Sequence, residues 1–115
     1  MQETTDEIQT RTLSLAEAET TAIGPGSYAL RFALGPLKGV VDLDLLGGAT
    51  APIGADSLVF ASIAETPPGG GAKFLGAAKI SILNLAPHQN GVGTRVFVDW
   101  PSELPTSIDF LVINN

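Results

Sequence analysis

The sequence predicts an all-β protein: an antiparallel sandwich of about seven or eight strands, with jelly-roll or immunoglobulin-like connections. Apolar and polar residues alternate over short segments, which is the period of a strand with one buried face. Thirteen Gly and eight Pro residues separate these segments, so the 115-residue chain turns often. No long segment has the 3.6-residue period of an amphipathic helix.

The N-terminal part of the chain is polar and then ambiguous. Residues 1–9 offer almost nothing to bury, so we expect a flexible arm followed by one β domain over residues 10–115. Up to about Leu15, apolar residues alternate as in a strand, which is the interpretation we favour. Ser14 followed by Glu17 also matches a capping box, so a short helix remains the alternative.

Two alternating segments follow a Gly-Pro-Gly turn at residues 24–26. They cover residues 28–34 and 40–45, with a Gly-Pro break between them. We predict a hairpin here, in a register that places Arg31 opposite Asp42 on the outer face. The remaining strands are predicted at 58–64, 74–85 with a bend at Gly76, 94–100 and 108–113.

Composition excludes several classes of partner. The net charge is −6, and the six basic residues are scattered, so we expect no nucleic-acid binding. There is no cysteine, which excludes disulfides and thiolate metal sites. The sequence shows neither a signal peptide nor an apolar run long enough to enter a membrane, so a cytoplasmic or virion location is favoured.

Several strands are apolar on both faces, which one small sandwich cannot bury. The surplus apolar side chains would form exposed patches, and large exposed patches mark interaction surfaces. We therefore predict a homo-oligomer, with contacts to other protein subunits as a further option. The alternative is that bulges switch the faces locally and the outer apolar residues are scattered. The interface candidates are Val40, Leu58, Phe60, Phe97, Leu111 and Ile113.

Residues for catalysis are sparse. His88 is the single histidine, and no serine lies in a Gly-x-Ser-x-Gly elbow that would serve a hydrolase. We predict no catalytic residues and no required cofactor. The leading hypothesis is a non-enzymatic structural or interaction protein, an assembly subunit or virion-accessory protein, that self-associates through apolar sheet faces.

A carbohydrate-binding, lectin-like module is the alternative function. Its site would combine Trp100 with the polar side chains of a neighbouring loop, since loops on a rigid scaffold commonly carry binding sites. Asp42 and Asp44 project from one strand face and would supply oxygens for calcium. The competing interpretation is that Trp100 closes the end of the core and the aspartates form ion pairs. The loop residues of this site are His88, Gln89 and Asn90.

Overall fold

The computed structural model describes residues 8–114 and confirms the predicted β-sandwich. A single turn of 3-10 helix, Leu15–Glu17, lies between the first two strands. The eight strands are β1 Gln9–Leu13, β2 Glu19–Gly24, β3 Ser27–Leu37, β4 Gly39–Leu46, β5 Leu58–Glu65, β6 Lys79–His88, β7 Gly91–Asp99 and β8 Leu104–Ile113.

The strands form two packed four-stranded sheets. Sheet A has the order β1-β4-β7-β6, and sheet B has the order β2-β3-β8-β5. Neighbouring strands are antiparallel except for the parallel pair β1 and β4. Most consecutive strands lie in opposite sheets, so the chain repeatedly crosses between the layers. Strands β1, β2, β5 and β6 are therefore the edges of the two sheets.

The core lies between the central strands of the two sheets. Alternate residues of β3, β4, β7 and β8 point inward and are almost completely buried. Phe32 and Phe110 meet edge to face with ring centroids 6.1 Å apart, an arrangement that suits the aromatic quadrupole. The inward residues of β5 and β6 are only half-buried, so the core thins toward that side of the sandwich.

Both interpretations of the N-terminal segment hold in part. The strand ends at Leu13, and Ser14 then caps the 3-10 turn by accepting a hydrogen bond from the backbone N–H of Ala16 at 3.3 Å. The predicted flexible arm lies outside the described residues except for Ile8 and Gln9, and Gln9 begins β1.

The predicted hairpin between β3 and β4 is wrong. The two strands belong to different sheets: β3 pairs with β2 and β8, and β4 pairs with β1 and β7. Gly35, with a φ of 71°, lies at the register shift in β3, whereas Gly39, with a φ of 75°, begins β4 directly after the corner between the sheets. Since both strands face the same core from opposite sides, their alternation matches a hairpin equally well. Arg31 and Asp42 consequently lie on opposite outer faces.

The long strand predicted at 74–85 is also wrong at its start. β6 begins at Lys79, and before it Phe74 makes only an isolated bridge to Glu65 of β5. The chain must cross from sheet B to sheet A in this segment, which a straight strand cannot do. The irregularity in β6 lies between Ile82 and Asn84 rather than at Gly76.

Candidate functional site

An apolar patch lies on the outer face of sheet B. It consists of four of the six predicted interface residues, Leu58, Phe60, Leu111 and Ile113. Leu58 pairs with Ile113 and Phe60 with Leu111 across β5 and β8, so the four side chains share one face in adjacent pairs. Leu58 is 53% exposed and Phe60 is 59% exposed, because none of residues 8–114 forms a layer over sheet B on that side.

A charged cluster borders the apolar patch. Asp109 lies between two cations on the same face: Arg31 donates to it through Nε at 2.9 Å, and Lys73 reaches it from the loop before β6. Partial burial raises the pKa of Asp109, but the hydrogen bonds from Arg31 and Lys73 outweigh it and hold the pKa below its usual range. The cluster separates the patch from the far end of the sheet.

The other two interface candidates lie on the opposite side of the molecule. Val40 and Phe97 are paired across β4 and β7 on the outer face of sheet A, where both are half-buried. The structure therefore divides the six candidates into one group of four and a separate pair. The group of four includes the two most exposed side chains of the six.

A polar trough lies on the outer face of sheet A, with a cavity of about 350 Å³. One row of side chains crosses all four strands, and the next row contains Gly93 between Asp44 and Ala86. Since glycine and alanine carry little or no side chain, the surface sinks at this point. The row of polar residues comprises Thr10, Asp42, Arg95 and Asn84.

Ion pairing occupies one of the two predicted calcium ligands. Arg95 donates to Asp42 through Nε at 2.7 Å and through Nη2 at 3.0 Å, a bidentate pair. This hydrogen bonding lowers the pKa of Asp42. Asp44 lies beside it, with Oδ1 3.9 Å from Nε2 of His88. Within residues 8–114, no group of three or more acidic or histidine side chains converges to hold a metal ion.

The structure does not bring the predicted carbohydrate platform together. His88 ends β6 and Gln89 and Asn90 form the turn to β7, whereas Trp100 follows the other end of β7. A strand rises about 3.3 Å per residue, so nearly the whole length of β7 separates Trp100 from the turn. The prediction took loops that are neighbours in sequence to be neighbours in space, but they lie at opposite ends of one strand.

His88 has no catalytic partner among the residues that the structure describes. Its Nδ1 lies 3.0 Å from the carbonyl oxygen of Gln89, and its nearest charged neighbour is Asp44. The hydrogen bonds of the described residues connect no serine or threonine hydroxyl to the ring. Its neighbours thus offer no activated nucleophile.

Sequence reasoning missed most residues of the trough. Asn84 and Arg95 come from the consecutive strands β6 and β7, but Thr10 and Asp42 come from β1 and β4, and only the order of strands in sheet A aligns the four. A usable signal was the alternation along 94–98, which places Arg95 on the outer face. That alternation does not show which residues lie beside Arg95, so it could not reveal the trough.

Comparison with protein-family models, with curated proteins and with solved structures gives no match to this chain. No helix among residues 8–114 is long and apolar enough to cross a membrane. The two outer faces of the sandwich are therefore the candidate functional surfaces.

Proposed function

We propose that this protein is a non-enzymatic structural or interaction protein that self-associates through the apolar patch of sheet B, in the manner of an assembly subunit or virion-accessory protein. One observation supports this most directly: Leu58 and Phe60 are more than half exposed and lie directly beside Ile113 and Leu111. Burying apolar surface contributes about 25 cal/mol per Å². The same patch on a second copy of the chain would bury this apolar surface.

The position of the charges supports self-association at this face. The chain carries a net charge of −6, so two copies repel each other at long range. Residues 58–64 contain no charged side chain, and Asp109 at the border of the patch is compensated by Arg31 and Lys73. Two patches can therefore approach without desolvating an unpaired charge.

Sedimentation equilibrium of the full chain between low and high micromolar concentration tests the proposal. We expect a defined oligomer whose formation is weakened at least about tenfold in Kd by Leu58→Ser, since the loss of one buried leucine contact amounts to about 1.4 kcal/mol or more. Leu83→Ser is the matched control, because Leu83 is 52% exposed but lies on β6, outside the patch. A wild-type monomer at high micromolar concentration would contradict the proposal.

A second candidate function, carbohydrate binding, is favoured by the polar trough of sheet A. Its row of hydroxyl, carboxylate, guanidinium and amide groups can donate and accept hydrogen bonds as a sugar requires. The depression at Gly93 gives a ring room to lie against the sheet. Of the two predicted calcium ligands, Asp44 is the one that Arg95 does not engage.

A glycan array with and without EDTA tests this second candidate. We expect binding that Asn84→Ala reduces, because Asn84 lies in the polar row, and that Ser62→Ala on sheet B leaves unchanged. A blank array with wild-type protein would remove the candidate. Binding that EDTA does not change would retain the sugar and exclude calcium.

A further inference from the structure

The outer edge of β5 offers backbone groups that no strand of the described residues pairs with. On one side β5 is hydrogen-bonded to β8 over its whole length, from Leu58 to Glu65. On the other side the single partner is Phe74, whose backbone N–H donates to the carbonyl of Glu65 at 3.0 Å. No other residue of this edge is paired by a strand within residues 8–114, although β6 of sheet A lies close to β5 without hydrogen bonding to it.

The hydrogen bonds at the end of β5 identify which residues face the open edge. The N–H of Thr66 donates to the carbonyl of Pro105 in β8, whereas the carbonyl of Glu65 points to the open edge and accepts from Phe74. In an antiparallel strand the N–H and C=O of one residue point to the same side, and successive residues alternate. The backbone groups of Val59, Ala61 and Ile63 therefore point to the open edge.

β5 lacks the features that protect the other three edges of the sandwich. β6 has a register shift at Ile82–Asn84 and contains Pro87, and β2 has a shift between Ala22 and Gly24. β1 is only five residues long. β5 instead pairs with β8 without a shift over eight residues and has neither Pro nor Lys. Such a regular, mostly apolar edge is a template for another strand.

We infer that the open edge of β5 pairs antiparallel with β5 of a second copy of this chain, so that sheet B continues across a two-fold axis. This inference rests on the proposed self-association and adds a second interface to it. An axis at Ala61 pairs Val59 with Ile63 of the second copy and uses every outward group between them. Phe74 occupies the next position, so the pairing ends before Glu65.

A second copy suits this edge better than an unrelated strand for two reasons. A two-fold axis makes the same patch serve both partners, which is the commonest arrangement in homo-oligomers. The stretch from Leu58 to Ala64 has no charge to repel its copy. The pairing also joins the two apolar patches into one surface, since Leu58 and Phe60 lie on the paired strands.

Hydrogen exchange by NMR on the full chain, at low and high micromolar concentration, tests the edge residue by residue. At high concentration we expect the amides of Val59, Ala61 and Ile63 to exchange at least about tenfold more slowly. The alternate amides of Leu58, Phe60 and Ser62 already bond to β8 and should change little. Equal rates for Val59, Ala61 and Ile63 at both concentrations, in a sample that sediments as an oligomer, would overturn the inference.

A proline variant separates the edge from the apolar patch. Ala61→Pro removes only an outward N–H, and proline is tolerated on an edge strand in that orientation. Ala61→Ser keeps the N–H and is the control. We expect Ala61→Pro to halve the mass of the oligomer while Ala61→Ser retains it, with circular dichroism confirming that both fold.

The outcomes distinguish this inference from the proposed function. If Ala61→Pro assembles like wild type but Leu58→Ser does not, association uses the face alone and the edge pairing is wrong. If wild type is monomeric, the proposed function itself fails. Should Ala61→Pro not fold, the amide pattern of the wild-type protein still decides the question.

Discussion

Two phenylalanines of sheet B show how differently its two faces are used. Phe110 on β8 points inward, is 1% exposed and packs against Phe32. Phe60 on the adjacent β5 points outward and is 59% exposed. The inner ring fills the core, whereas no second layer formed by the described residues covers the outer ring. The outer ring is not part of the buried core, which supports the proposal that the outer apolar residues serve association.

Truncation of the two rings should give the largest contrast. Phe110→Ala removes a buried ring and leaves a cavity, so we expect a loss of about 3–5 kcal/mol in the free energy of unfolding. Phe60→Ala should change it by less than about 0.5 kcal/mol at a concentration where the chain is monomeric. Urea unfolding followed by circular dichroism measures both. Similar losses in the two variants would mean that the outer face also supports the fold.

Removing a buried hydroxyl from the inner side should change the free energy of unfolding less than Phe110→Ala does, and should raise it instead of lowering it. Thr94 is buried, and its Oγ1 has no hydrogen-bond partner among the described residues. Thr94→Val keeps the shape and removes the unpaired group, so we expect the free energy of unfolding to rise by about 1 kcal/mol. Thr94→Ser, which keeps the hydroxyl and loses the methyl group, should be less stable than wild type in the same unfolding experiment. A destabilised valine variant would show that the hydroxyl is bonded.

Acid should have the smallest effect, and it acts on the outer faces. The pKa values of Asp109 and Asp42 are lowered in the folded protein, whereas the pKa of an unfolded aspartate is about 3.9. Their contribution to stability is thus complete above that pH and is lost as the pH falls through the lowered folded values. Thermal melts between pH 6 and pH 2 should show a shallower acid decline for Asp109→Asn than for wild type.

The control for the acid experiment is Asp56→Asn. Asp56 lies exposed in the turn before β5, and no ion pair is found for it among the described residues. Its variant should follow the wild-type curve. If Asp109→Asn also follows that curve, the charged cluster beside the patch contributes nothing to stability.

The inner and outer positions of the strands were predictable from the sequence, but the partners of the strands were not. Alternation along β3 and β4 correctly assigned the buried side chains, because burial depends on the period of a single strand. It could not show that these strands face each other across the core instead of sharing a ladder. As a result, the sequence prediction placed Arg31 opposite Asp42, whereas in the structure Arg31 pairs with Asp109 and Asp42 pairs with Arg95.

The candidate site shows the same division. The apolar patch was predictable because its members lie on two strands that are apolar on both faces, β5 and β8. The polar trough was not, because its row of residues forms only when β1, β4, β7 and β6 come together. The predicted site that combined Trp100 with His88 was wrong for a related reason. The two residues lie near opposite ends of β7, so the length of that strand separates them.

The position of β8 has a consequence for how the chain acquires its structure during synthesis. β8 lies between β3 and β5, and Leu30 of β3 pairs with Phe110. The middle of sheet B is thus supplied by residues 104–113, long after β2 and β3 have left the ribosome. Ladders between segments that are distant in sequence form slowly, so the apolar side chains of β3 and β5 stay uncovered until β8 has been synthesised.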